Sequence, residues 1–169
     1  MSVVYEWFVS TFHGLPRELA ALIISMVPLV ELRGGIIFSK LVDLELWRAA
    51  LFCIIGNIIP IPFILLFIKQ IFKWMKKNKF LGKIANWFEE KAMKKSDKFK
   101  NGEFVALILF VGIPLPGTGA WMGSLIASLL EMDIKKAIIA ELIGLVMASA
   151  IMLTIFYAFP EVFTKLFHI

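Results

Sequence analysis

Three charged side chains stand inside stretches that are otherwise apolar: Glu31 and Arg33, two residues apart, and Glu141. Charges in apolar surroundings are costly and mark a pathway, a relay or a neutralised pair. Arg33 offers a planar fork of donors suited to phosphate or carboxylate. Glu31 beside it is a protonatable partner that could coordinate release of such a group. The alternative is a structural pair in which the two neutralise one another. Residues two apart face different sides of a continuous helix, so that pairing needs irregular backbone. Glu141, one turn before Gly144, reads as a proton-coupling or substrate group, or as a satisfied structural acid.

Other residues could support such a site. Gly117, Thr118 and Gly119 can present backbone N–H groups to an anion, as nests and helix N-termini do. Asn57, between Gly56 and the Pro60-Ile61-Pro62 kink, suits a substrate or ion ligand, or a hydrogen bond between helices. Trp7, Trp47, Trp74 and Trp87 sit at apolar margins as interface anchors, whereas Trp121 falls deeper, where it can line a cavity. Enzyme chemistry finds no support: His13 and His168 lie near the chain ends, and Cys53 has no base to activate it. No metal set and no cofactor motif is present, and no catalytic residue is expected.

The elements that must carry these groups follow from composition. The chain has 169 residues, 60% hydrophobic and 18% charged, with sixteen Phe and five Trp. A soluble domain this small could not hide so much apolar surface, so the chain reads as an all-α integral membrane protein. A spanning helix needs about 20 apolar residues. Residues 49–68 and 137–160 meet that length, the first broken by Gly56-Asn57, Pro60 and Pro62. Leu19 to Val30 is too short to cross, and Glu31 and Arg33 follow it. Two short arms joined at a polar break read as a re-entrant hairpin. Residues 104–130, broken at Pro114-Leu115-Pro116-Gly117-Thr118-Gly119, read the same way, with a kinked span as the alternative.

Shifting the chain by 88 places Pro28 on Pro116, Gly35 on Gly123, Leu41 on Leu129, Ala49 on Ala137 and Ile55-Gly56 on Ile143-Gly144. Glu45 falls on Asp133 and Arg48 on Lys136. Each half then reads as one re-entrant hairpin plus one transmembrane helix, which crosses once, so the second copy is inverted. Inverted repeats of broken helices with a site near the midplane are a transporter design. The expected organisation is one membrane domain over 1–169: an interfacial helix over 1–16, repeat 1 over 17–74, a basic linker over 75–102, repeat 2 over 103–160 and a tail over 161–169.

Eleven of the 18 basic residues lie between Lys69 and Lys100; the rest of the chain carries 7 basic and 10 acidic residues. The formal +5 is therefore one loop. Lys-rich short loops stay in the cytoplasm, which places both termini outside in the hairpin arrangement and inside in a four-span one. Phe80, Ile84, Trp87 and Phe88 recur at helical spacing, making the linker a basic amphipathic helix able to lie on anionic lipid. No groove-reading motif accompanies the lysines, and no nucleic-acid partner is expected.

At Pro28-Leu29-Val30-Glu31-Leu32-Arg33-Gly34-Gly35 and at Pro114-Leu115-Pro116-Gly117-Thr118-Gly119-Ala120-Trp121, the chain resembles the small multi-drug export proteins of bacteria and archaea, over most of its length. The hairpin-plus-helix unit is also similar to the wider DedA (VTT-domain) superfamily. That likeness implies proton-dependent work in a prokaryotic cell membrane and, for some members, translocation of polyprenyl-phosphate lipid carriers. DedA proteins carry an arginine-rich motif in the second hairpin, where this chain has Gly117 to Trp121 and no arginine. The resulting expectation is a proton-coupled translocase of a polyprenyl-phosphate-like lipid, bound by Arg33 and the Gly117–Gly119 backbone, with membrane lipids and protons as partners and a homo-oligomer enclosing the cavity. The alternatives are an exporter of lipophilic cations with Glu141 as counter-charge, and a non-transporting membrane organiser.

Overall fold

A computed structural model describes residues 11, 12, 14–96 and 102–159, with backbone alone for 91–96. Most of the expected interfacial helix, the tail and residues 97–101 of the linker lie outside the described residues, as do Trp7, His13 and His168. The described residues are 79% helical and contain no strands. In chain order the helices are α1 (Arg17–Met26), α2 (Glu31–Leu41), α3 (Leu46–Ile58), α4 (Pro60–Met75), α5 (Lys79–Ser96), α6 (Glu103–Gly112), α7 (Ala120–Leu129) and α8 (Ile134–Leu153). A π-helical turn, Thr154–Ala158, extends the last.

Helices α3 and α4 form one apolar rod, Leu46–Met75, of 30 residues. The residue between them, Ile59, keeps helical angles, φ −53 and ψ −47. The break expected at the prolines is thus a gap in the hydrogen-bond ladder: Pro60 and Pro62 carry no N–H to donate. At 1.5 Å per residue the rod is about 45 Å long, more than the ~30 Å of a hydrocarbon core. Ile134–Ala158 is the second helix long and apolar enough to cross a membrane.

The short helices pair as hairpins. Each of α1, α2, α6 and α7 has 10 or 11 residues, so each is about 15 Å long, half a hydrocarbon core. In the first hairpin Gly35 lies against Ala21 and Ser25, and the Arg17 guanidinium donates to the Val42 carbonyl at 2.8 Å. In the second, Gly123 lies against Leu107 and Val111. Each hairpin packs on the long helix that follows it, α1 on α3 and α6 on α8. Small residues permit that approach: a Cβ on Gly56 would overlap the Leu22 carbonyl, and one on Gly144 would crowd Val111 and the Ile108 carbonyl.

Backbone positions with left-handed φ fall in pairs 88 residues apart. Leu29 (71°) matches Gly117 (74°), Glu31 (52°) matches Gly119 (120°), and Asp43 (51°) matches Glu131 (58°). Helix α3 starts at Leu46 and α8 at Ile134, at the same offset. The turns before them repeat bond for bond: Leu44 N–H donates to the Ser39 carbonyl, and Met132 N–H to that of Ala127. Glycine takes these angles freely, while a side chain resists them. The first hairpin therefore holds Leu29 and Glu31 in backbone that the second reserves for Gly117 and Gly119.

The amphipathic stripe expected on α5 is divided. Ala85 and Gly82 are buried against the body, whereas Phe80 is 72% and Trp87 49% exposed. Phe88 is half-buried, and Ile84, exposed at its margin, stands between it and the exposed Phe80 and Trp87.

Candidate functional site

The two hairpins meet through their tips, and the charged residues of the first grip the turn of the second. Glu31, 5% exposed, opens α2. Ala120 N–H donates to its Oε2 at 3.2 Å and Trp121 N–H to its Oε1 at 3.1 Å. The carboxylate thus caps α7, where orphan N–H groups and the positive end of the helix dipole favour an anion. Gly119 is required at this approach, because a Cβ there would overlap Glu31 Oε2.

Arg33 turns to the same loop. Its Nη1 donates to the Leu115 carbonyl at 2.6 Å and its Nη2 to Thr118 Oγ1 at 2.7 Å. Thr118 also sits within hydrogen-bond distance of the Ile113 and Leu115 carbonyls, which closes the turn on itself. Trp121 Nε1 donates to the Met26 carbonyl at 3.1 Å, completing the clasp. Glu31 and Arg33 do not form the mutual ion pair that is the alternative reading of them. Both are satisfied across the molecule, and the anion on the N–H groups at the start of α7 is the protein's own carboxylate.

Beside this clasp lies a cavity of about 200 Å³, between α4, α5, α7 and the two tips. Its wall is apolar and aromatic, with Phe72, Phe88 and Trp121 among the lining residues; among the described residues Glu31 is the one charged side chain on it, and Gly117 and Thr118 reach its edge. Arg33 is not on the wall.

Glu141 lies apart from the cavity, fully buried on α8. Ser124 Oγ is 2.9 Å from each of its oxygens. A hydroxyl has one proton, so Ser124 serves one carboxyl oxygen at a time. Helix α7 is therefore held at its start by Glu31 and one turn further by Glu141. Asn57 is also fully buried, and neither its Oδ1 nor its Nδ2 has a hydrogen-bond partner. It stands on α3, away from the clasp.

The sequence pointed to Glu31, Arg33, Thr118, Gly119 and Trp121 through charge, glycine and aromatic signals, and the fold brings these together. Ser124 and Phe72 carried no local signal, and Phe88 stood out only as part of the lipid-facing stripe of the linker. Glu141, which its charge in an apolar stretch already singles out, corresponds at the offset of 88 to Cys53, a buried thiol 3.7 Å from Ser39 Oγ. The two long helices thus place a polar group at the same level beneath each hairpin.

The all-helical fold of the described residues, its apolar surface and its two long apolar helices suit a membrane protein. Residues 31–151 match the family described as Putative small multi-drug export protein. The match covers over two thirds of the chain, and the protein belongs to that family. No curated protein and no solved structure matches it.

Proposed function

We propose that this protein exports small lipophilic cations, taking them up in the cavity beside Glu31 and exchanging them for protons. The observation that carries this reading is the lining: aromatic faces and apolar side chains around a single carboxylate. Aromatic faces attract a cation, by about 0.5–2 kcal/mol each where water is excluded. A carboxylate adds charge selectivity, while the apolar wall selects a lipophilic body. A polyprenyl-phosphate-like cargo fits less well, because Arg33 is engaged with Leu115 and Thr118 and stands off the cavity wall. The protein acts as a transporter and not as an enzyme.

Glu31, on α2, is the cation's counter-charge and Glu141, on α8, the buried proton site; both bond to the same helix, α7. This division supports exchange: the two carboxyl groups grip one element, so a change at either bears on the other. The paired left-handed positions support reading the chain as two inverted halves, each a re-entrant hairpin and a spanning helix, in a multi-pass prokaryotic cell membrane. In that arrangement α5 is cytoplasmic and both termini are outside.

Reconstitution into liposomes tests this reading. Under an imposed pH gradient, a fluorescent lipophilic cation should move against its concentration gradient, and Glu31→Gln should abolish the movement. Flipping of a polyprenyl phosphate without any cation movement would reverse the assignment. Reporter fusions at the two ends, if cytoplasmic, would overturn the inverted-half topology.

A further inference from the structure

We propose that α5 is a two-faced lid: one face closes the cavity, and the other docks on anionic phospholipid headgroups, so that lipid charge controls access to the cavity. The part concerning cargo rests on the export reading above; the lipid-dependent position of α5 does not.

The inward face is plain in the burial pattern. Ala85 is fully buried and Gly82 buried, while Ile84 and Phe88 stand on the cavity wall opposite α4 and α7. Without α5 that side of the cavity has no wall. With it, the space is about 200 Å³, below the roughly 300–1,000 Å³ of pockets that hold drug-sized molecules. A cargo of that size needs α5 to move.

The attachment of α5 suits movement. It joins α4 through the short turn Lys76–Asn78, and the Asn78 side chain caps its start by accepting from Phe80 N–H at 2.9 Å. The helix can therefore swing as a unit on a turn that it does not need to unwind. One exposed ion pair, Lys76 to Glu89, ties it back across that turn.

The outward face has its own chemistry. Phe80, Lys83 and Trp87 fall at i, i+3 and i+7, a single stripe along the helix, and all three are exposed, with Lys79 beside them. Exposed Lys73, Trp74 and Lys77 continue the pattern on the end of α4 and the turn. Aromatic rings between lysines are the composition of a segment lying at a headgroup surface. The charge selects the lipid: from Lys73 to Glu90 there are five lysines and two glutamates, and one of those glutamates, Glu89, is taken by Lys76. Anionic headgroups complement that excess, and zwitterionic ones do not.

Cross-linking reads the lid directly. Ile84→Cys and Ile68→Cys, on opposite walls of the cavity, are introduced in full-length protein carrying Cys53→Ala, and joined by a short bifunctional thiol reagent. The protein is reconstituted in phosphatidylcholine vesicles with and without phosphatidylglycerol. Cross-linking should be slower with the anionic lipid by on the order of fivefold, the shift that one lysine–headgroup contact supports. Lys79→Gln with Lys83→Gln should bring the ratio between the two lipids close to one. Equal rates in both lipids, or a ratio unmoved by the lysine substitutions, would overturn the proposal. Should the first pair disturb folding, Phe88→Cys with Met122→Cys reports on the same gap. Because this readout needs no transport, a protein that moves no cation but shows the lipid-dependent ratio would refute export and keep the lid.

Discussion

The Glu31 carboxylate accepts the backbone N–H of Trp121 at 3.1 Å, across 90 residues of chain. A side chain at the tip of one hairpin thus forms the N-terminal cap of a helix in the other. The same carboxylate is the charged group on the cavity wall. In the export cycle proposed above, holding the two hairpins together and meeting a cation would fall to one side chain, so an arriving cation would compete with the α7 N–H groups for it.

Glu31→Gln should therefore lower stability as well as stop transport. Replacing a charged acceptor by a neutral one removes part of two charge-assisted bonds, a loss of about 1.5–3 kcal/mol. Gly119→Ala should cost a similar amount for another reason: it adds a side chain at φ 120° and in the place of Glu31 Oε2. Thermal unfolding in detergent measures both. An unchanged midpoint for Gly119→Ala would remove the clasp from the account.

Two glycines should respond oppositely to alanine. A Cβ on Gly56 would overlap the Leu22 carbonyl, a backbone atom that can yield only if α1 shifts on α3. Gly56→Ala should destabilise by roughly 1–3 kcal/mol, as overpacking does. A Cβ on Gly82 would come no closer than 3.4 Å to its nearest neighbour, Lys76 Cα. Gly82→Ala should stabilise α5 by about 0.5–1 kcal/mol through backbone entropy. The pair of unfolding midpoints, moving apart, is the expected result.

Glu141→Gln keeps the size and a hydrogen bond to Ser124 while removing the titratable proton. It should leave folding intact and abolish proton-driven cation movement. Ser124→Ala, which strips the carboxyl of its partner, should instead cost stability, by about 1–3 kcal/mol. Proton-driven transport by Glu141→Gln at the normal rate would exclude this residue from coupling.

Lys69 donates to Glu131 at 2.9 Å in the turn before α8. That hydrogen bond, and then the charge of Lys69, hold the Glu131 carboxyl below its usual range. A carboxyl lowered in the folded state adds stability above its unfolded range and loses it as pH falls through the folded value. The wild type should therefore lose slightly more of its unfolding temperature than Glu131→Gln on acidification, with little difference near neutral pH. The effect should be small, since the pair is well exposed and ion pairs of that kind contribute little.

Much was open to reading in one dimension. Apolar length marked the two long helices, and shortness together with Glu31 and Arg33 marked the first hairpin. The offset of 88 matched the two halves from Pro28 and Pro116 to Gly56 and Gly144, and the structure adds paired left-handed turns at Asp43 and Glu131. Glu31, Arg33, Thr118, Gly119 and Trp121 of the clasp lay at the two breaks that the sequence picked out, Trp121 just past the second. Their pairing was not readable. Glu31 and Arg33 lie two apart on the chain, and a mutual pair is one of the two readings open for them there, whereas each is satisfied more than 80 residues away.

The division has a physical cause. Local rules act over a few residues: a proline withholds its N–H, a glycine accepts a left-handed turn, and a run of apolar side chains reaches a given length. From these the sequence alone determined an all-helical chain suited to a membrane, the positions of its breaks and the basic segment between its halves. In a soluble helix the polar face would also show which side is outside. Here lipid and protein interior are equally apolar, so a helix such as α8 carries no stripe to tell them apart. Only the tertiary structure decided that Glu141 faces Ser124, that Phe72, Phe88 and Trp121 enclose one cavity, and that Glu31 closes the clasp beside it.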